Sequence, residues 1–102
     1  MNGPYPKGFY IGHKAPNHSD HHDFLEAGRH YCVIREFQDY DGHVHAVGET
    51  WTFLGSSFVP YHDGLSLYVS LDGAREWCIA MQWLEEQQGP ILDSLSEYLV
   101  EV

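Results

Sequence analysis

Apolar and polar residues alternate with a period of two through most of the chain, the pattern of strands that bury one face. Leu65, Leu67, Val69 and Leu71 alternate with Ser66, Tyr68 and Ser70, and Trp77, Ile79, Met81 and Trp83 alternate with Cys78, Ala80 and Gln82. Both runs predict strands, with Trp77 and Trp83 in the core. A third runs from His30, with Tyr31, Val33, Arg35 and Phe37 set against Cys32, Ile34 and Glu36. A long strand is expected from about Val44 to Leu54, carrying Val47, Glu49, Trp51 and Phe53 on one side, with Gly48 as a bulge or bend. Phe58-Val59-Pro60-Tyr61 is a short strand that its proline confines to an edge or a bulge. Turns separate these runs at Asp41-Gly42, Gly55-Ser56-Ser57, His62-Asp63-Gly64 and Asp72-Gly73, because glycine and aspartate tolerate the backbone of tight turns. Five strands with short connections make an antiparallel meander.

The two ends follow other rules. After Gly89, Pro90 stands where proline suits the first turn of a helix, and Ile91, Leu92, Leu95, Tyr98, Leu99 and Val102 fall at helical spacing. A helix is therefore expected over residues 90–100, lying across one sheet face or one barrel end. Residues 1–22 hold Pro4, Pro6 and Pro16 with three glycines and little periodicity, which predicts an irregular arm, tethered in part by Tyr5, Phe9 and Tyr10. Asp23 to Gly28 reads as one helical turn ended by glycine. The expected fold is mainly β: a five-stranded antiparallel SH3-like small barrel or meander sheet with one C-terminal α-helix. The alternative is an α+β open sheet covered by that helix. Residues 23–102 form the single β-rich domain in either case.

The central turns and aromatics resemble a small bacterial family, a domain of unknown function with an SH3-like core. The resemblance rests on Gly28, Tyr31, Val33, Phe37, Asp41-Gly42, Gly48-Glu49, Trp51, Phe53, Gly55, Phe58, Pro60-Tyr61 and Asp63-Gly64-Leu65. It spans residues 24–87 and implies no activity and no catalytic residue. The acidic and aromatic opening of peptide-binding SH3 domains is not evident, which argues against polyproline binding.

Charge changes the picture of partners. The 102 residues hold 5 Lys and Arg against 15 Asp and Glu, for a formal charge of −10. Residues 1–30 balance, so the whole excess lies in residues 31–102, where Arg35 and Arg75 face twelve acids. Phosphate backbones and anionic lipid are held by Lys and Arg, so nucleic acid and membrane are disfavoured as partners. A basic protein is the partner such a body suits, although acidity also serves solubility alone. Tyr40, Tyr61 and Tyr68, at turn or polar-face positions, and Asp63 are the expected partner-binding residues. No apolar run approaches the length of a membrane span, and the start lacks a basic segment followed by an apolar one, so the chain is expected in the cytoplasm. Cys32 and Cys78 form no CxxC pair and are expected to be reduced and structural.

Candidate chemistry is confined to histidines and one glutamate. Eight histidines are many for this length, and His18, His21 and His22 crowd beside Asp20 and Asp23. Imidazole and carboxylate together suit zinc or another transition metal, although His-rich polar tracts also bind metal only weakly. His43 and His45 alternate next to the Asp-Gly turn and so share a face; with Asp41 or Glu49 they offer three ligands, or a base with an orienting carboxylate. Glu49 shares strand parity with Trp51 and is the candidate perturbed carboxylate, with a structural pair to Arg35 or Arg75 as its plainer role. No phosphate loop, nucleophile elbow or paired catalytic carboxylate stands out, so the reading leans away from an enzyme. The expected function is an acidic protein-interaction module without a cofactor. Metal binding by His18, His21, His22, His43 and His45 is the first alternative, and a small ligand between sheet and helix the second.

Overall fold

The computed structural model describes residues 1–13, 17–59 and 63–102. Its strands in chain order are β1 (Asn2–Tyr5), β2 (His18–Ser19), β3 (His21–His22), β4 (Leu25–Glu26), β5 (His30–Val33) and β6 (Phe37–Gln38). They continue as β7 (Val44–His45), β8 (Thr50–Val59), β9 (Gly64–Ser70) and β10 (Glu76–Gln82), then a short helix α1 (Gly89–Asp93) and β11 (Leu99–Glu101).

The two cleanest alternations sit at the middle of the main sheet. β9 pairs with β10 through Leu67↔Ile79 and Val69↔Trp77, and with β8 through Val69↔Phe53 and Leu65↔Phe58, so one face is continuously apolar. The order is β1-β10-β9-β8-β5-β11, antiparallel throughout, with β2 pairing β8 off this path. Among the described residues the sheet is open, with β1 and β11 at opposite edges, and the expected barrel does not close. Curling is unnecessary because other segments cover the apolar face: Phe37 of β6, Leu25 of β4, and Leu92, Leu95 and Leu99 join Tyr31, Trp51, Phe53 and the β9–β10 residues in one core.

β8 differs from the strand expected over residues 44–54. The chain turns after β7, with Gly48 at φ 98°, and β8 then runs straight through Gly55-Ser56-Ser57, where a turn was expected. Those small residues admit β2 alongside: a Cβ on Gly55 would stand 3.0 Å from the His18 ring and 3.1 Å from the Ser19 carbonyl. The irregularity in pairing falls between Phe53 and Gly55, not at Gly48.

The C-terminal helix is shorter than expected. α1 starts with Pro90 near its N-terminus but gives way at Ser94, and a 3-10 turn over Leu95–Glu97 leads into β11. Leu99 and Val100 pair with Val33 and Cys32 of β5, so edge-strand hydrogen bonding overrides the helical spacing. At residues 23–28 the expected helical turn is a small hairpin of β3 and β4, with Asp23 at φ 54°. The arm is also more regular than expected, since β1 lies on the edge of β10 and β2 on β8. Buried Glu76 ties the arm down by accepting backbone N–H groups from Gly8, Tyr10 and Ile11 at 2.6, 2.8 and 3.2 Å. No helix among the described residues is long and apolar enough to cross a membrane.

Candidate functional site

The β6–β7 hairpin builds a cluster of ionisable groups at one side of the core. Asp-Gly chemistry closes the hairpin, with Gly42 at φ 86°, and pairing sets Phe37 opposite His45. The Asp39 carboxylate folds back over the turn, its Oδ1 accepting the amides of Asp41 and His43, both at 3.0 Å. Its Oδ2 meets His45 Nε2 at 2.8 Å and the Met1 ammonium at 2.9 Å. The other ring nitrogen of His45, Nδ1, lies 2.6 Å from Glu49 Oε2, which also accepts the Trp51 indole N–H at 3.2 Å. The Phe37 ring stacks on the imidazole at 4.7 Å and 16°, and the His45 side chain is 0% exposed.

This geometry fixes the electrostatics of the pair. Burial pulls the His45 pKa down, but the hydrogen bonds and negative charges of Glu49 and Asp39 outweigh it and hold the imidazole above the ordinary histidine value. For Asp39, burial pushes upward, and the ammonium, His45 and the His43 amide overcome it, leaving the carboxyl below its usual range. Each ring nitrogen of His45 thus faces a carboxylate oxygen, an arrangement that favours the protonated ring.

His43, one alternation earlier, is exposed and its ring lies 4.8 Å from that of His45. His43, His45 and Glu49 each offer a ligand atom, and the three atoms lie within 4.8 Å of one another. Ligands at about 2.1 Å from one ion stand at most about 4 Å apart. Tetrahedral ligands stand about 3.4 Å apart, so His45 and Glu49, hydrogen-bonded at 2.6 Å, would part slightly to admit an ion while the exposed His43 closes in. Asp39 on the far nitrogen of His45, and the Trp51 indole on Glu49, occupy the positions from which outer groups orient metal ligands.

The remaining expected site residues disperse. His18 is buried in β2 and stacks over Tyr68 at 6.3 Å; His21 is exposed beside the Ser19 hydroxyl; His22 packs against the Trp83 ring at 5.7 Å. Among the described residues these three do not join a three-ligand group. His18 Nδ1, His22 Nε2 and the Ser57 hydroxyl are buried without a partner among those residues. Tyr40 is exposed, at 51%. Tyr68 is not: it is 8% exposed, because Tyr10 of the arm stacks on it at 5.2 Å. Asp63 is half-buried at φ 51°, its carbonyl accepting the Trp83 amide, and Tyr61 lies outside the described residues. Trp83, expected in the core, is 38% exposed because the strand ends one residue before it. Glu49 sits beside Trp51 as its parity implied, but its partner is His45, not Arg35 or Arg75.

Asp39 is the one member of this cluster that the sequence does not single out. The available signal was the hairpin itself: a carboxylate two residues before the Asp-Gly turn lies close to the strand that carries His45.

Comparison with known proteins gives a family and no activity. The chain belongs to the family described as a domain of unknown function (DUF3601), whose model matches residues 12–102, a wider span than residues 24–87. Among solved structures it is similar to an integron cassette protein, VCH_CASS4, from the mobile metagenome of Vibrio cholerae. The two share 36% identity with a TM-score of 0.78, over 81% of this chain and 91% of that one. No curated protein matches the chain.

Proposed function

We propose that this protein binds one divalent transition-metal ion, zinc or another of similar softness, through His43, His45 and Glu49. The observation that carries this reading is the Asp39–His45–Glu49 chain: a buried imidazole held by a carboxylate on Nε2 and aimed through Nδ1 at a second carboxylate, with another histidine beside it. Two imidazoles and one carboxylate suit a borderline divalent ion, and three protein ligands leave a coordination position open. A bound ion would take the place of the Nδ1 proton, while Nε2 would keep its proton and donate it to the Asp39 carboxylate. Tag-free protein stripped of metal, titrated with zinc or cobalt in a calorimeter, is expected to take up one equivalent. His43→Ala and Glu49→Gln should each weaken that uptake, and His21→Ala should leave it unchanged. Failure to bind either metal, or binding indifferent to His43→Ala, would refute the reading.

A second reading, docking on a basic protein, is favoured by the −10 charge concentrated in residues 31–102. We infer a reducing, cytoplasmic setting for both activities, supported by the two free cysteines.

A further inference from the structure

The acidic excess is sharpest at the end of the chain. Residues 76–102 carry six carboxylates and no Lys, Arg or His. Two of the six, Glu85 and Asp93, line a cleft of about 420 Å³ with Trp83, Gly89 and Pro90. The cleft forms where β10 ends and the chain loops back through α1, so an indole that strand alternation would bury is left at its wall.

That indole is a fixed surface. Its N–H donates to Asp93 Oδ1 at 2.9 Å, its backbone amide donates to the Asp63 carbonyl at 2.7 Å, and it meets the His22 and Phe58 rings at 5.7 and 6.2 Å. Trp51 and Trp77 are buried, whereas Trp83 is 38% exposed. The arginines of the chain are engaged elsewhere: Arg29 with Glu26 and Glu101, Arg35 with Glu97, and Arg75 with Asp72. An immobilised aromatic wall beside two carboxylates, on a segment whose sequence carries no Lys, Arg or His, has the chemistry that recognises an organic cation.

We propose that this cleft receives an arginine side chain from a basic segment of a protein partner. Guanidinium fits better than ammonium because its plane stacks on the indole while its fork of N–H donors reaches Glu85 and the second oxygen of Asp93. The proposal rests on the basic-partner reading and is independent of the metal site.

The test uses ¹⁵N-labelled full-length protein titrated with three capped peptides of alternating glycine with arginine, lysine or citrulline, the last being a neutral counterpart of arginine. The arginine peptide is expected to shift the Trp83 indole N–H signal saturably, leaving those of Trp51 and Trp77 in place. It should bind about two- to fivefold tighter than the lysine peptide, and the citrulline peptide should not bind. Asp93→Asn keeps an acceptor for the indole, so combined with Glu85→Gln it should preserve the fold while weakening arginine binding about fivefold or more. Equal affinity for arginine and lysine, or an unaltered affinity in that double variant, would overturn the proposal. Shifts scattered over the surface with Trp83 unmoved would overturn the cleft but leave docking on a basic protein standing. Absence of binding by both cationic peptides would overturn both.

Discussion

His45 is held from both sides by carboxylates in a place where water does not reach, and this makes Asp39 the decisive neighbour of the proposed metal site. Outer carboxylates of this kind typically change metal affinity by about 10- to 100-fold. Asp39→Asn keeps an oxygen for the Asp41 and His43 amides but removes the charge facing Nε2, so it should weaken zinc binding by about that factor. Calorimetry on the metal-free variant measures this directly, and an unchanged affinity would mean that Asp39 does not steer the imidazole. The two histidines were legible, because His43 and His45 follow strand alternation next to an Asp-Gly turn, whereas Glu49 comes back to His45 through the turn after β7 and not along a strand. Their supports were not, since the contacts of Asp39 and the Trp51 indole depend on how the hairpin docks on the core. His22 gives a separate test. Burial lowers its pKa from 6.5, with Asp23 opposing and His21 adding to the fall. A depressed folded-state value means stability that is present above pH 6.5 and lost as pH falls through the folded value, because the unfolded chain takes the proton first. His22→Leu should therefore lose less stability than the natural protein between pH 7.5 and 5, read as the difference in urea midpoints. Parallel pH curves for the two proteins would place His22 in solvent.

The elements most visible in the sequence were those with alternating faces and local turns. β9 and β10 lie within one residue of the expected runs, and the Asp41-Gly42 hairpin forms where its turn residues stand. What the sequence concealed is long-range. Gly55-Ser56-Ser57 has turn composition, yet continues β8 because two neighbouring strands supply its hydrogen bonds. Leu99 fits a helical stripe equally well, yet completes an edge strand. The arm is the clearest case, since its order derives from a carboxylate more than sixty residues away. Glu76→Gln leaves one oxygen to serve three amides and removes the charge, and hydrogen bonds to a charged group contribute about 1.5–3 kcal/mol each. The substitution should cost about 2–4 kcal/mol in urea denaturation and speed amide exchange at Gly8, Tyr10 and Ile11. The same arm holds the Tyr10 phenol against Tyr68, where burial pushes its pKa up to about 12, with Cys78, Tyr5, Tyr68 and Glu76 adding to the rise. A phenol raised in the fold contributes stability below pH 10 that is lost as pH rises through about 12. Ultraviolet titration should show one tyrosine ionising late, and in Glu76→Gln that delay should shrink.

At the scale of the whole molecule, ten uncompensated negative charges share a body measuring 32 × 32 × 23 Å. The ion pairs that offset them are mostly superficial: Arg29, Arg35 and Arg75 have side chains 55–60% exposed, and such pairs contribute little. Self-repulsion should therefore outweigh local attraction in the salt dependence of folding. The screening length is about 30 Å at 0.01 M salt, close to the molecular diameter, and about 8 Å at 0.15 M. Near 0.01 M every carboxylate acts on every other, whereas at 0.15 M only neighbours do. Raising sodium chloride across this range should shift the urea midpoint upward, and the shift should shrink in a variant with Glu85, Glu86 and Glu97 changed to Gln, none of which belongs to the His43–His45–Glu49 cluster. A midpoint that falls with salt would mean that the buried Met1–Asp39–His45–Glu49 chain, the least screened of the attractions, governs the electrostatics of the fold. The same repulsion is what the proposed basic segment would relieve on docking, so salt should stabilise the isolated protein and weaken the proposed arginine-peptide complex over one range of concentration.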